Sequence, residues 1–252
     1  MRPERSATEV RLAEGVLALA PGFALLTDSH TLLCADVHLA YEDVVGGALP
    51  LWSTAESIAT IAIAAQRYAV AEIVFLGDAI HGSRMSEGAA REVIAALASL
   101  RAIAALTFVA GNHEGATRGH AILGATVETC ERDGWTLLHG DKPPPLGARS
   151  LIGHLHPSLH LGGGTTAPCF LASDRLVVVP ALTPYSRGLD VMSDACRDAL
   201  LPWDIRSRDL TVVAAAGERL YPFGALSALR GVLANPTRSP GSYRRRHIRP
   251  DR

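Results

Sequence analysis

The chain has 252 residues, 48% of them hydrophobic and 19% charged, and 24 basic against 25 acidic side chains leave a formal net charge of −1. Such a length buries a sizeable core, the apolar content excludes an intrinsically disordered chain, and the near-zero charge excludes a polycation built to coat nucleic acid or membrane. Four widely spaced cysteines, Cys34, Cys130, Cys169 and Cys196, contain no C-x-x-C pair, which excludes a four-cysteine zinc knuckle and disfavours a disulfide framework.

In chain order, the apolar run 31–36 predicts a buried strand. Residues 54–69 carry apolar side chains at helical spacing behind a Thr54 N-cap, 72–77 predicts a second strand, 87–100 a second helix and 106–110 a third strand. Strand, helix, strand, helix, strand is the signature of βαβ units and a largely parallel sheet. The second half changes character. Short β-like runs at 126–130, 135–139, 150–153, 169–172 and 176–179 are divided by Gly, Pro and polar turns, followed by a hairpin over 210–216 and 219–222 and a closing helix at 225–233. Two sheets packed face to face with helices outside are therefore expected, in one domain spanning 1–234. Residues 235–252, rich in Pro, Ser and Arg, read as a basic, disordered tail. The N-terminus lacks a signal-like apolar run, and the most apolar stretch, 58–65, stops at Gln66-Arg67, well short of the ~20 residues of a membrane span. A soluble, cytoplasmic protein with no membrane partner is expected.

The chemistry concentrates at strand ends. Asp36-Val37-His38 leaves the first predicted strand, Gly77-Asp78 the second and Gly111-Asn112-His113-Glu114 the third; His139-Gly140 and Gly153-His154-Leu155-His156 end two later ones. In an open α/β sheet, ligand sites form beyond the carboxyl ends of the strands. Asp36, His38, Asp78, Asn112, His139, His154 and His156 supply oxygen and nitrogen donors and no thiolate, a set suited to Mn, Fe or Zn. Seven donors exceed what one catalytic ion with an open position uses, whereas two ions sharing a carboxylate and a bridging water would use them economically. In such a pair the bridging hydroxide attacks phosphorus while both ions clamp the phosphate oxygens.

The ordered set D-x-H, G-D, G-N-H-[DE], H-G, G-H-x-H, spanning residues 36–156, resembles the calcineurin-like metallophosphoesterases. The resemblance implies a four-layer α/β/β/α sandwich of two mixed sheets. It implies that Asp36, His38, Asp78 and His156 hold one metal, and that Asp78, Asn112, His139 and His154 hold the other. His113 would contact the scissile phosphate with Asn112 and protonate the leaving oxygen, and Glu114 would orient His113. A narrower likeness, carried by Asp36-Val-His-Leu-Ala-Tyr-Glu42, Gly77-Asp-Ala-Ile-His81, Gly153-His-Leu-His-Pro157, Pro168-Cys-Phe-Leu and Val179-Pro-Ala-Leu-Thr, is to the bacterial ligase-associated DNA-damage-response phosphodiesterases. It implies phosphodiester substrates such as DNA or RNA ends, manganese, and DNA-repair partner proteins. Because family members often pair, it also carries a homodimer.

Other features weigh differently. His81 either meets the phosphate or caps its loop. Tyr41 and Glu42 either reach the substrate mouth or, the favoured reading, form a solvated helix end. Arg187, Arg206 and Arg208 either form a basic rim for a polyanion or, the favoured reading, are scattered solvated arginines, and the glycine run after His160 reads as a hairpin turn, since it lacks the lysine of a phosphate loop. Phosphodiester hydrolysis linked to DNA repair leads. A phosphodiesterase of 2′,3′-cyclic nucleotides or a phosphomonoesterase is the alternative within the same chemistry. A silent scaffold is the alternative from another class, and it would require a broken ligand set.

Overall fold

A computed structural model describes residues 7–46, 51–82, 85–114, 116–143, 147–162, 164–203 and 205–234; the predicted tail lies outside them. The first sheet holds β1 (Glu9–Ala13), β2 (Val16–Leu19), β3 (Phe23–Leu26), β4 (Thr31–Cys34), β5 (Glu72–Leu76) and β6 (Ala105–Val109), side by side in that order. Strands β4, β5 and β6 are parallel, as the βαβ pattern requires, and β1 to β4 form an antiparallel meander. The sheet is therefore mixed rather than largely parallel. Helices α1 (Tyr41–Gly46) and α2 (Trp52–Arg67) connect β4 to β5, α3 (Glu87–Arg101) connects β5 to β6, and α4 (Ala116–Leu123) follows β6.

The second sheet contains β7 (Thr129–Arg132), β8 (Trp135–Leu138), β9 (Ser150–Ile152), β10 (Pro157–Gly162), β11 (Thr165–Ala172), β12 (Leu176–Val178), β13 (Leu189–Asp190), β14 (Thr211–Ala216) and β15 (Arg219–Ala225). Its order is β13-β10-β11-β12-β9-β8-β7, with β14 pairing β11 and β15 pairing β14. Strands β8, β9 and β12 run parallel in the middle. Helices α5 (Asp194–Ala199) and α6 (Leu226–Ala234) lie beyond it.

Strand alternation sorts the apolar side chains into three layers. Leu32, Cys34, Ile73 and Phe75 face Ile58, Ile61, Val93 and Leu97 of α2 and α3. Their neighbours Leu33, Val74 and Leu76 face the other way, onto Trp135, Leu137, Leu151, Phe170 and Val177 of the second sheet. Beyond that sheet, Ile152, Leu171, Val178 and Val212 pack on Cys196, Leu200, Trp203 and Leu226. The result is the expected α/β/β/α order of layers. The first sheet carries its parallel strands at one edge and the second in its middle, and the carboxyl ends of the two parallel sets converge on one rim.

Candidate metal centre

Backbone hydrogen bonds fix that convergence. The His38 N–H donates to the Asp78 carbonyl at 2.9 Å, the Gly153 N–H to the His139 carbonyl at 2.9 Å, and the Thr183 N–H to the Asp36 carbonyl at 3.3 Å. Asp36, His38, Asp78, His154 and His156 all adopt φ between 43° and 61°. Left-handed backbone at a non-glycine residue costs about 1–3 kcal/mol and persists only where the surroundings impose it, so five such residues at one rim mark a built site. Two glycines admit the close approaches. A Cβ on Gly77 would run into the His139 ring, and one on Gly111 into the Asp78 carboxylate.

Two buried carboxylates form the centre, and each has one oxygen tied down. Asp36, with no exposed surface, accepts the His154 N–H on Oδ2 at 2.8 Å. Its Oδ1 has no hydrogen-bond partner, yet lies 3.0 Å from His156 Nε2. Asp78 accepts the His113 N–H on Oδ1 at 2.9 Å and turns Oδ2 to His139 Nε2 at 3.4 Å. Asp36 Oδ1 and His156 Nε2, 3.0 Å apart without hydrogen-bond geometry, have the spacing of adjacent ligands on an ion with bonds of about 2.1 Å. The donor sets Asp36–His38–His156, Asp36–Asp78–His139 and His38–His81–His113 each place their ligand atoms within 4.8 Å of one another.

The imidazoles are turned by contacts behind them, as metal-binding histidines generally are. His139 donates from Nδ1 to the Leu76 carbonyl at 2.9 Å. That leaves Nε2 facing Asn112 Oδ1 at 2.9 Å and His154 Nδ1 at 3.1 Å, as well as Asp78. One Nε2 proton cannot serve three acceptors; a cation among the four atoms would. His156 Nδ1 meets the Ser186 hydroxyl at 2.7 Å, and His38 Nδ1 meets His81 Nδ1 at 3.1 Å. Burial opposes charge on His139, but the Asp78 hydrogen bond and the Asp36 and Asp78 carboxylates outweigh it and hold its pKa up at about 9. Burial likewise works against ionised Asp78, and the hydrogen bond and charge of His139 overcome it, holding Asp78 down at about 2. His38 is pushed down to about 4 by burial, against the pull of Asp36 and Asp78, so it is a neutral imidazole ready to ligate. These donors fit divalent cations.

The exposed His113 ring stacks on His81 at 5.1 Å and stands edge-on to His38 at 5.2 Å. His81, three residues beyond Asp78, thus belongs to the cluster rather than capping a distant loop. The resemblance implies that Glu114 orients His113. Instead, the buried Glu114 carboxylate accepts the Ala79 N–H at 2.9 Å and the Gly111 N–H at 3.0 Å. It braces the loop that carries Asn112 and His113, and reaches the ring only through the backbone. Glu42 is also unlike its sequence reading. It is buried, and its Oε1 accepts the Ser53 N–H at 2.8 Å and the Tyr185 hydroxyl at 3.1 Å. Tyr41 is not a free helix end either, because it packs on His81 and Tyr185. Ser186 and Tyr185 were not legible as site residues; the signal was only that they precede Arg187 in a polar turn between two β runs.

The calcineurin-like phosphoesterase family model matches residues 29–204, about 70% of the chain, which contain every residue of the rim described above. A nuclease from Pseudomonas putida, MPE, shares the fold at TM-score 0.63 and 20% identity, covering 87% of this chain and 100% of its own. Yfce, a phosphoesterase from E. coli, aligns over 60% of this chain and 77% of its own at 15% identity and TM-score 0.37, too low to carry an argument. No curated protein matches the sequence. With the family model spanning both the ligand-bearing rim and the strands that build it, the chain belongs to the calcineurin-like phosphoesterases, enzymes of metal-dependent phosphoester hydrolysis.

Proposed function

We propose that the chain is a phosphodiesterase with a dinuclear metal centre, acting on nucleic-acid phosphodiesters in DNA repair. The observation that carries this reading is the pair of buried carboxylates, Asp36 and Asp78, each with one oxygen held by a backbone N–H and the other turned toward imidazoles. Asp36, His38, Asp78 and His156 would hold one ion, and Asp78, Asn112, His139 and His154 the second. Oxygen and nitrogen donors without thiolate suit Mn²⁺, Fe²⁺ or Zn²⁺ alike, and the narrower motif likeness favours Mn²⁺. Bound there, the ions supply an acidified water and electrostatic stabilisation of the phosphoryl oxygens.

The chain's own groups do the rest. Asn112 and His113, both exposed at the rim, contact the phosphate, and His113 hands a proton to the leaving oxygen. His81 supports the His113 ring and engages His38 through Nδ1, leaving its other nitrogen for a phosphate oxygen. A cleft of about 750 Å³ opens beside His156, with room for the second ester arm that distinguishes a diester. That the P. putida protein is named a nuclease supports nucleic acid as substrate, and the narrower motif likeness supports DNA repair. The four cysteines are free, which fits a reducing, cytoplasmic setting, and residues 1–234 form the catalytic domain in this reading.

The test is hydrolysis of bis-p-nitrophenyl phosphate against p-nitrophenyl phosphate by metal-stripped protein with Mn²⁺ restored. Faster turnover of the diester is expected, and His113→Ala should lower it about 10²–10⁴-fold while retaining bound metal. Preference for the monoester would overturn the diesterase reading.

A further inference from the structure

Ring contacts continue outward from the centre. His113 stacks on His81 at 5.1 Å, His81 meets Tyr41 at 4.6 Å with the rings tilted by 51°, and Tyr41 stacks on Tyr185 at 4.4 Å with their planes only 14° apart. The outermost ring is not buried: Tyr185 is 45% exposed. Its orientation is nevertheless fixed. The hydroxyl donates to Glu42 Oε1, and that buried carboxylate is itself held by the Ser53 N–H. An aromatic face presented to solvent and held from its edge is a binding surface whose ordering cost is already met.

The neighbours along the chain narrow the occupant. Ser186 holds the ligand candidate His156, and Arg187 lines the same cleft as His156 with its guanidinium in no ion pair among the described residues. Three consecutive residues thus offer a flat apolar ring, a brace on the metal centre and a cation. A strand of nucleic acid offers the matching series: a base, the scissile phosphate and a neighbouring phosphate.

We propose that Tyr185, backed by Tyr41, is the stacking platform for an unpaired nucleobase beside the scissile phosphate, and that Arg187 takes an adjoining phosphate. The inference rests on the phosphodiesterase reading and deepens it to single-stranded or frayed nucleic acid. In a duplex both faces of a base are covered by its neighbours, so only an unstacked base can lie on the ring. Stacking of this kind tolerates any base, because every base has a π-face.

The test uses the Mn²⁺-loaded protein and hydrolysis-resistant phosphorothioate hexamers, one of thymidine and one abasic, followed by fluorescence anisotropy. The thymidine strand is expected to bind about 5–150-fold more tightly, the range of one base–aromatic stack. Tyr185→Leu should erase that discrimination and Tyr185→Phe should keep it, which separates the ring face from the Glu42 hydrogen bond. Arg187→Ala should weaken both strands alike and flatten the salt dependence by about 0.7 in log–log slope. Equal binding of the two strands by the wild type, discrimination surviving in Tyr185→Leu, or its loss in Tyr185→Phe would each overturn the platform. Wild-type hydrolysis of methyl p-nitrophenyl phosphate, a diester without a base, reports on the phosphodiesterase reading separately. Turnover of that ester with no base discrimination would remove the platform alone.

Discussion

Ser186 shows how much of a candidate metal centre lies outside its candidate ligands. Its hydroxyl meets His156 Nδ1 at 2.7 Å while accepting the Gly188 N–H at 3.1 Å, so it fixes which nitrogen His156 turns to Asp36. Loss of such a partner lowers metal affinity about 10–100-fold. Ser186→Ala should therefore weaken Mn²⁺ binding by that factor, read by calorimetric titration, while Ser186→Thr retains the hydroxyl and the affinity. Unchanged affinity in the alanine variant would show that His156 is oriented by packing alone. The ligand candidates themselves were legible in sequence because each stands at a strand end within a short motif, usually with a glycine that lets another strand's side chain approach. Ser186 was not, because its partner lies 30 residues away and neither residue marks the other. Glu42 failed for the same reason: its partners are Ser53 and Tyr185, one of them 143 residues distant.

At the scale of elements, the seam between β5, β6 and β7 is held by one carboxylate. Glu72 opens β5, accepts the Thr107 hydroxyl of β6 at 2.6 Å, and receives two hydrogen bonds from the Arg132 guanidinium of β7, at 2.8 and 2.9 Å. Burial works to raise the Glu72 pKa, but the Arg132 and Thr107 hydrogen bonds outweigh it and hold the carboxyl below its ordinary value. Paired, charge-assisted bonds joining the edges of two sheets make Arg132→Ala destabilising by about 1.5–3 kcal/mol at pH 7. A depressed carboxylate contributes stability that is fully present above the unfolded value, near pH 4.3, and is lost as pH falls through the folded one. The deficit of the variant should accordingly shrink below about pH 4 in urea titrations; a deficit independent of pH would assign the loss to packing. The parallel strands β4, β5 and β6 and helices α2 and α3 were readable, because buried apolar runs alternate there with amphipathic helices. The β1–β3 meander was not read. Its strands are four or five residues long and joined by tight turns, and two of them are buried on both faces, so neither alternation nor length distinguished them from loop.

For the whole molecule, the candidate metal centre is where the two sheets are stitched together at their rim. The sandwich interior is apolar, with Leu33, Val74 and Leu76 on Trp135, Leu137 and Phe170. At the rim, polar contacts cross instead: His139 Nδ1 to the Leu76 carbonyl, the His154 N–H to Asp36, and the Thr183 N–H to the Asp36 carbonyl. That rim gathers five left-handed non-glycine residues and a buried carboxylate oxygen with no hydrogen-bond partner. Ions held by side chains from both sheets bind the folded chain and not the unfolded one, so they stabilise by mass action. One site at a hundred times its dissociation constant contributes about 2.7 kcal/mol. For a chain of this size each kcal/mol moves Tm by about 2–4 °C, giving about 5–10 °C for one ion and roughly twice that for two. Scanning calorimetry of EDTA-stripped protein titrated with Mn²⁺ should show that rise. Asp78→Asn, which alters the carboxylate shared by both proposed ions, should abolish most of it, whereas Asp36→Asn should remove only the part owed to one. A Tm that ignores Mn²⁺ in the wild type would mean that the rim is held by its backbone contacts alone, and the carboxylate arrangement would then need another explanation.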